Sequence, residues 1–175
     1  MTRQINRLSW AKQSPSRPPG IGVTRARGAK AAGVRYERLL AKAVPKAQAG
    51  VWWEFVDSAG HGWCQTDLVL IGRDGALVLE AKYTATDRAW EQLEGLYLPV
   101  VSAALGRPCW GVQVCRVLTP EMPGPVVWTV AEALEAARAG GRVTIHWSGV
   151  GPLGPRAGIP SPTDQLSLAF ARPGA

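Results

Sequence analysis

The chain has 175 residues, 46% of them hydrophobic and 19% charged, which suits one globular domain of ordinary size with its own core. It has no run of eighteen or more apolar residues, and MTRQINRLSWAKQSPSRPPG has no apolar signal-peptide core, so a cytoplasmic, non-membrane protein is expected. The net charge of +7 is unevenly spread: residues 1–50 carry eleven Lys or Arg against one acid, Glu37, whereas residues 51–175 carry nine against twelve acids.

The first segment, residues 1–27, mixes Ser, Pro, Gly and Arg without an apolar period and reads as a flexible basic arm. GAKAAGVRYERLLAKAV (28–44) has helix-forming composition and ends at Pro45. Positive charge concentrated in the arm and first helix suits a polyanion, and Arg25, Arg27, Lys30 and Arg35 are the residues expected to grip DNA phosphates. VWWEFV (51–56), WCQTDLVLI (63–71) and ALVLEAKY (76–83), separated by DSAGHG and GRDG, predict a three-strand meander. Thr86 or Asp87 caps a second helix with an apolar stripe from Ala89 to Ala104, which Pro99 should kink or split. CWGVQVCRVL (109–118) is a strand, VVWTV (126–130) a short one, AEALEAARA (131–139) a helix and VTIHW (143–147) a last strand.

This order predicts an α/β (α+β) sandwich, a central mixed β-sheet flanked by helices, over residues 28–147. Residues 148–175 read as a second flexible tail, rich in Pro and Gly. Cys64, Cys109 and Cys115 lack C-x-x-C spacing and sit in apolar runs, so they are read as small core residues. Most of the eight tryptophans are expected in the core as well, and His61 and His146 are assigned no catalytic role.

One hairpin breaks its own apolar pattern. In DLVLIGRDGALVLEAK (67–82), Glu80 and Lys82 share a strand face. If Arg73-Asp74 forms the loop, Asp67 lies directly across from Glu80, with Cβ atoms roughly 4.5–5.5 Å apart. If Asp74-Gly75 forms it, Asp67 faces Lys82 and Glu80 is diagonal. A plain three-residue loop would send Asp67 to the other face unless a bulge restored it. The hairpin is otherwise apolar on both sides (Trp63, Val69, Ile71 and Val78 against Leu68, Leu70, Leu77 and Leu79), so helices should cover both. Two acids in such a place repel, and one must take up a proton unless a cation intervenes. That cation is either Lys82 or a divalent metal such as Mg2+, which takes carboxylate, water and phosphate oxygens.

Asp67, twelve residues, then Glu80-Ala81-Lys82, on consecutive strands after a helix, resembles the PD-(D/E)XK nuclease superfamily with its restriction-endonuclease-like fold. The resemblance covers roughly residues 28–118. It implies a metal-dependent deoxyribonuclease using Mg2+, with Mn2+ able to substitute. Asp67, Glu80 and the Ala81 carbonyl would be metal ligands, and Lys82 would orient or activate the attacking water. It further implies a helix-borne acid, for which Glu37 in Gly33-Val34-Arg35-Tyr36-Glu37 has the spacing. The chain departs from the pattern with Thr66 where the family name has proline. It also departs at Gln92, the candidate helix glutamine, which stands one residue further from Tyr97 than the Gln-x-x-x-Tyr of some groups. Gln65 is a second accessory candidate, expected on the Asp67 face by alternation.

In the tail, QLSLAF resembles the peptide that binds bacterial sliding clamps, with Gln165, Leu166, Leu168 and Phe170 as its contacts. The function expected is therefore a DNA nuclease, more an endonuclease than an exonuclease, in phage or mobile-element DNA metabolism. Two alternatives stand beside it. One is a non-catalytic DNA-binding or clamp-recruited adaptor that keeps the fold; the other is a Holliday-junction resolvase, which would need a dimer.

Overall fold

The computed structural model describes residues 3–22, 27–120 and 122–153, so Arg25 and the QLSLAF peptide lie outside the described residues. Seven strands form one mixed sheet in the order β1-β2-β3-β4-β5-β7-β6. They are β1 (Trp10–Ser14), β2 (Gln48–Asp57), β3 (Gly60–Ile71), β4 (Ala76–Thr84), β5 (Cys109–Val117), β6 (Val126–Val127) and β7 (Thr144–His146). Strands β1 to β4 pair antiparallel; β4 with β5, β5 with β7 and β6 with β7 pair parallel. Helices α1 (Ala29–Ala43) and α4 (Val130–Arg138) cover one face. The other face lies under α2 (Asp87–Gln92), a π-helical turn (Leu93–Tyr97) and α3 (Leu98–Leu105).

The expected mixed sheet between helices is therefore present, with a core on each side. Leu68, Leu77 and Leu79 meet Tyr36 and Leu40 of α1. Val69 and Val78 meet Trp90, Leu93 and Val100 on the opposite side, together with Trp53 and Phe55. Burying a side chain of this size is worth about 1.5–3 kcal/mol relative to exposure. α1 aims Tyr36 and Leu40 at the sheet because residues four apart stack on one helix face, and its C-cap residue Val44 is buried beside them. α4 starts in a capping box, in which Thr129 Oγ1 accepts from Glu132 N–H and the Glu132 carboxylate accepts from Thr129 N–H.

The amino-terminal segment departs from the flexible arm expected of it. Trp10–Ser14 pairs antiparallel with β2 as the edge strand, and Ile5 and Leu8 pack against the core. Arg3 reaches the buried carboxylate of Asp57, donates to the Gly60 carbonyl at 2.9 Å and lies over the Phe55 ring. The apolar residues here are too few and too irregularly spaced to show a period, and it is the edge of β2 that organises them. At the other end, residues 148–153 turn back onto α1: Trp147 Nε1 donates to the Gly151 carbonyl, and Leu153 packs at the core margin.

The helical run is split beside Pro99, as expected, by a π-helical turn rather than by a break. The turn precedes the proline, and the Gly95 carbonyl, four residues before it and so without its usual donor, accepts from Ile5 N–H at 2.7 Å.

Candidate active site

The turn between β3 and β4 is Gly72-Arg73-Asp74-Gly75, closed by Gly72 N–H donating to Gly75 O at 2.8 Å. Gly75 is required by close approach, since a Cβ there would lie 2.5 Å from the Pro108 carbonyl oxygen. The pairs Ile71↔Ala76, Leu70↔Leu77, Val69↔Val78 and Leu68↔Leu79 follow, so the Arg73-Asp74 register is the one adopted and Asp67 comes next, opposite Glu80.

At Asp67 the regular ladder stops. On its other side β2 and β3 pair at Ala49↔Leu68 and Val51↔Thr66, but not at the intervening Gly50 and Asp67. Gly50 takes a left-handed φ of 62°, which glycine adopts without cost. The strand reverses its facing here: Cys64 belongs to the core beneath α2 and α3, whereas Leu68 belongs to the core beneath α1. Trp63, assigned by simple alternation to the Val69 face, instead stands half-buried against His61. Freed from the ladder, Asp67 turns its carboxylate onto β4, where Oδ2 accepts from Ala81 N–H at 2.8 Å. Thr66, just before it, is buried and accepts from Trp53 Nε1 at 3.0 Å, which anchors this irregular stretch to the core.

Glu80 is 1% exposed. Lys82 donates to its Oε1, while Oε2 is buried with no hydrogen-bond partner. Its strand neighbour Gln113 is fully buried, and that amide is already engaged: Oε1 accepts from Thr86 N–H at 2.8 Å and Nε2 donates to Thr144 Oγ1. Gln113 is visible in the sequence as the lone polar residue of GVQVC, but no motif singles it out.

Both carboxyls are held above the ordinary range, with burial the largest cause for each. For Asp67 the next cause is the charge of Glu80, while for Glu80 the nearby Lys82 opposes the rise. Glu37, half-buried on α1, is also raised, by burial and then by the charge of Asp67, with Lys82 and Arg38 opposing. Four of the residues named from sequence, Glu37, Asp67, Glu80 and Lys82, therefore occupy one electrostatic neighbourhood drawn from a helix and two strands.

No protein-family model, no curated protein and no solved structure matches this chain. The chemistry must be read from the residues themselves. Among the described residues, no group of three or more His, Cys, Asp or Glu side chains could hold a metal ion. A cation here would therefore be held by Asp67 and Glu80, with main-chain and water oxygens filling the shell. The chain fits such a group on two counts: a buried and a half-buried acid, both of raised pKa, and one buried carboxylate oxygen with no donor.

The remaining candidates divide. Gln92 Nε2 donates to the Tyr97 hydroxyl at 3.2 Å. Its five-residue spacing, one more than in the Gln-x-x-x-Tyr pattern, is bridged by the π-helical turn, whose wider winding brings positions i and i+5 together. The Tyr97 phenol is raised by burial first and then by the charges of Glu80 and Asp67, so the Gln92–Tyr97 pair borders the site. Gln65 is exposed, and its amide donates to the Gly50 carbonyl at 3.1 Å, supporting the strand break. Arg27, Lys30 and Arg35 are exposed on or beside α1. His61 bonds Glu54 and His146 bonds the Arg116 carbonyl. Trp53 and Trp90 are core residues, and no described helix is long and apolar enough to cross a membrane.

Proposed function

We propose that this chain is a Mg2+-dependent DNA nuclease of the PD-(D/E)XK type with a restriction-endonuclease-like fold. One observation carries the reading: beside the half-buried Asp67, the buried Glu80 carboxylate, bonded at one oxygen by Lys82, has its other oxygen buried without a donor. A bare pair of acids in this position is unfavourable, and Mg2+ ligation supplies the compensation that Lys82 gives to only one of four oxygens.

In this reading Asp67 and Glu80 hold the metal, with the Ala81 carbonyl as a further ligand. Bound Mg2+ would polarise the scissile phosphate and lower the pKa of water. Asp67 is held against β4 by the Ala81 N–H bond to its Oδ2, which leaves Oδ1 to face a metal. Lys82 sets an ammonium beside the same oxygens, where it can orient the attacking water and offset the charge that develops on phosphorus. Glu37 adds a negative charge from α1 that helps retain the cation. Hydrolysis forms a bond from water oxygen to phosphorus and breaks the bond to the leaving sugar oxygen, which takes up a proton. The basic surface of Arg27, Lys30 and Arg35 would track phosphates.

The Lys82–Glu80 contact also favours a second reading, a DNA-binding adaptor in which the lysine replaces the metal. A cleavage panel in Mg2+ or Mn2+ on linear, nicked, flap, single-stranded and four-way-junction DNA separates the two. Asp67→Ala, Glu80→Ala and Lys82→Ala should each abolish cutting and leave DNA binding largely intact. An Asp67→Ala protein that still cuts would overturn the assignment, and failure of the wild type to bind metal or cut any substrate would favour the adaptor.

A further inference from the structure

Tyr83 follows Lys82 on β4, and Arg116 is its neighbour on β5, between the register pairs Lys82↔Cys115 and Thr84↔Val117. The Arg116 guanidinium stands 5.4 Å from the centre of the Tyr83 ring. Both side chains are exposed, Tyr83 at 41%. The ring is nonetheless braced, because Tyr36 packs edge-on at 6.2 Å and 74°, and the Tyr36 hydroxyl is itself tied to the Trp147 carbonyl at 3.0 Å. Tyr36 immediately precedes Glu37. An exposed aromatic ring with a cation over it thus lies on the α1 face of β4, where it packs on the residue before Glu37, while the adjacent Lys82 points to the other face of the strand. The adjoining carboxyl ends of β4 and β5 are joined by Ala85 N–H donating to the Val117 carbonyl. A hollow of about 260 Å³ opens beside them, lined in part by Thr86, Arg88, Thr119 and Met122.

A ring needed only for packing would be turned into one of the two cores, as Tyr36 and Tyr97 are. A rigid, exposed ring carrying a guanidinium is instead suited to a flat π-system linked to an anion. In a duplex each base face is covered by its neighbours, whereas an unpaired base presents a free face for stacking on Tyr or Arg. We propose that Tyr83 and Arg116 form a stacking platform on the α1 face of the sheet for an unpaired base of a bound DNA strand, so that the preferred substrate carries a single-stranded arm beside a duplex. What happens to that strand rests on the nuclease reading; the stacking itself does not.

The test uses the full chain carrying Glu80→Gln, which keeps the DNA uncut. The protein is titrated into duplexes bearing a single-stranded arm with 2-aminopurine at successive positions, and into a blunt duplex of equal length. The expected result is a fluorescence change at arm positions near the junction. Tyr83→Ala should weaken arm binding roughly fivefold or more while leaving blunt-duplex binding unchanged. Tyr83→Phe, which keeps the ring, should behave as the parent, and Arg116→Gln should fall between. Equal affinity of the Tyr83→Ala and parent proteins for the armed duplex overturns the proposal, as does an equal loss on armed and blunt DNA. Separately, the protein with Glu80 intact is assayed for cleavage: an arm preference that depends on Tyr83 without any cutting leaves the platform standing and removes the nuclease, whereas cutting with no such preference does the reverse.

Discussion

Asp67 and Glu80 carry a cost that the rest of the hairpin does not. Glu80 is buried and Asp67 half-buried among apolar strands, and Lys82 satisfies a single oxygen of Glu80. A carboxyl whose folded pKa is raised binds protons more tightly folded than unfolded. The folded state therefore has its full advantage below the ordinary carboxylate range and loses it as pH rises through the raised value. The metal-free protein should accordingly lose stability on going from mildly acidic to neutral pH, and Mg2+ should restore it. Asp67→Asn removes one titrating acid of the pair, so it should raise the thermal midpoint of the metal-free protein at neutral pH and flatten that dependence. Thermal scans across pH with and without Mg2+ check this; a lower midpoint for Asp67→Asn at neutral pH would contradict it. At this scale the sequence was legible, because charged residues in an apolar alternating pattern are conspicuous. The unpartnered Oε2 of Glu80 was not, since it depends on which donors the folded chain brings beside Glu80.

The helical layer beside the site is set by a contact with no local signature. Pro99 deprives the Gly95 carbonyl of its helical donor, and Ile5 N–H replaces it at 2.7 Å. A Cβ on residue 95 would already be 3.3 Å from Gln4, so the glycine lets the amino-terminal segment come close. That junction lies within the same π-helical turn that joins Gln92 to Tyr97. Ile5→Pro removes the donor and should cost about 1–3 kcal/mol for the carbonyl left unsatisfied. In a Pro99→Ala background the helix regains its own N–H, and the cost of Ile5→Pro should shrink. Urea unfolding of the four proteins in the cycle measures the coupling, and equal costs in both backgrounds would refute it. The helix and Pro99 were legible as elements. The π-turn and the strand β1 were not, because segments distant in the chain supply the hydrogen bond and the sheet edge they require.

Across the whole molecule, charge is divided between a basic beginning and a mildly acidic remainder. The exposed Arg27, Lys30 and Arg35 lie on or beside the helix that carries Glu37, so the basic surface and the carboxylate site share one structural element. If these three side chains neutralise phosphates, replacing all of them by alanine should weaken DNA binding at low salt without altering substrate preference. The slope of log affinity against log salt should become shallower by about one for each phosphate that is no longer neutralised. Salt titrations of the parent and the triple variant measure it, and an unchanged slope would show that these three side chains do not neutralise phosphates.

By itself the sequence determined the meander, the helix before it, the alternation of strands and helices that follows, and the acids and lysine that interrupt the hairpin. These are local, written in apolar periods, turn residues and spacing. Tertiary structure chose between the two hairpin registers, broke the β2–β3 ladder at Gly50 and Asp67, brought Glu37 within reach of the strand acids and drew the amino-terminal segment onto the sheet. Each of those outcomes depends on which hydrogen-bond donor or apolar face a distant segment presents, and that partner does not exist until the chain has folded.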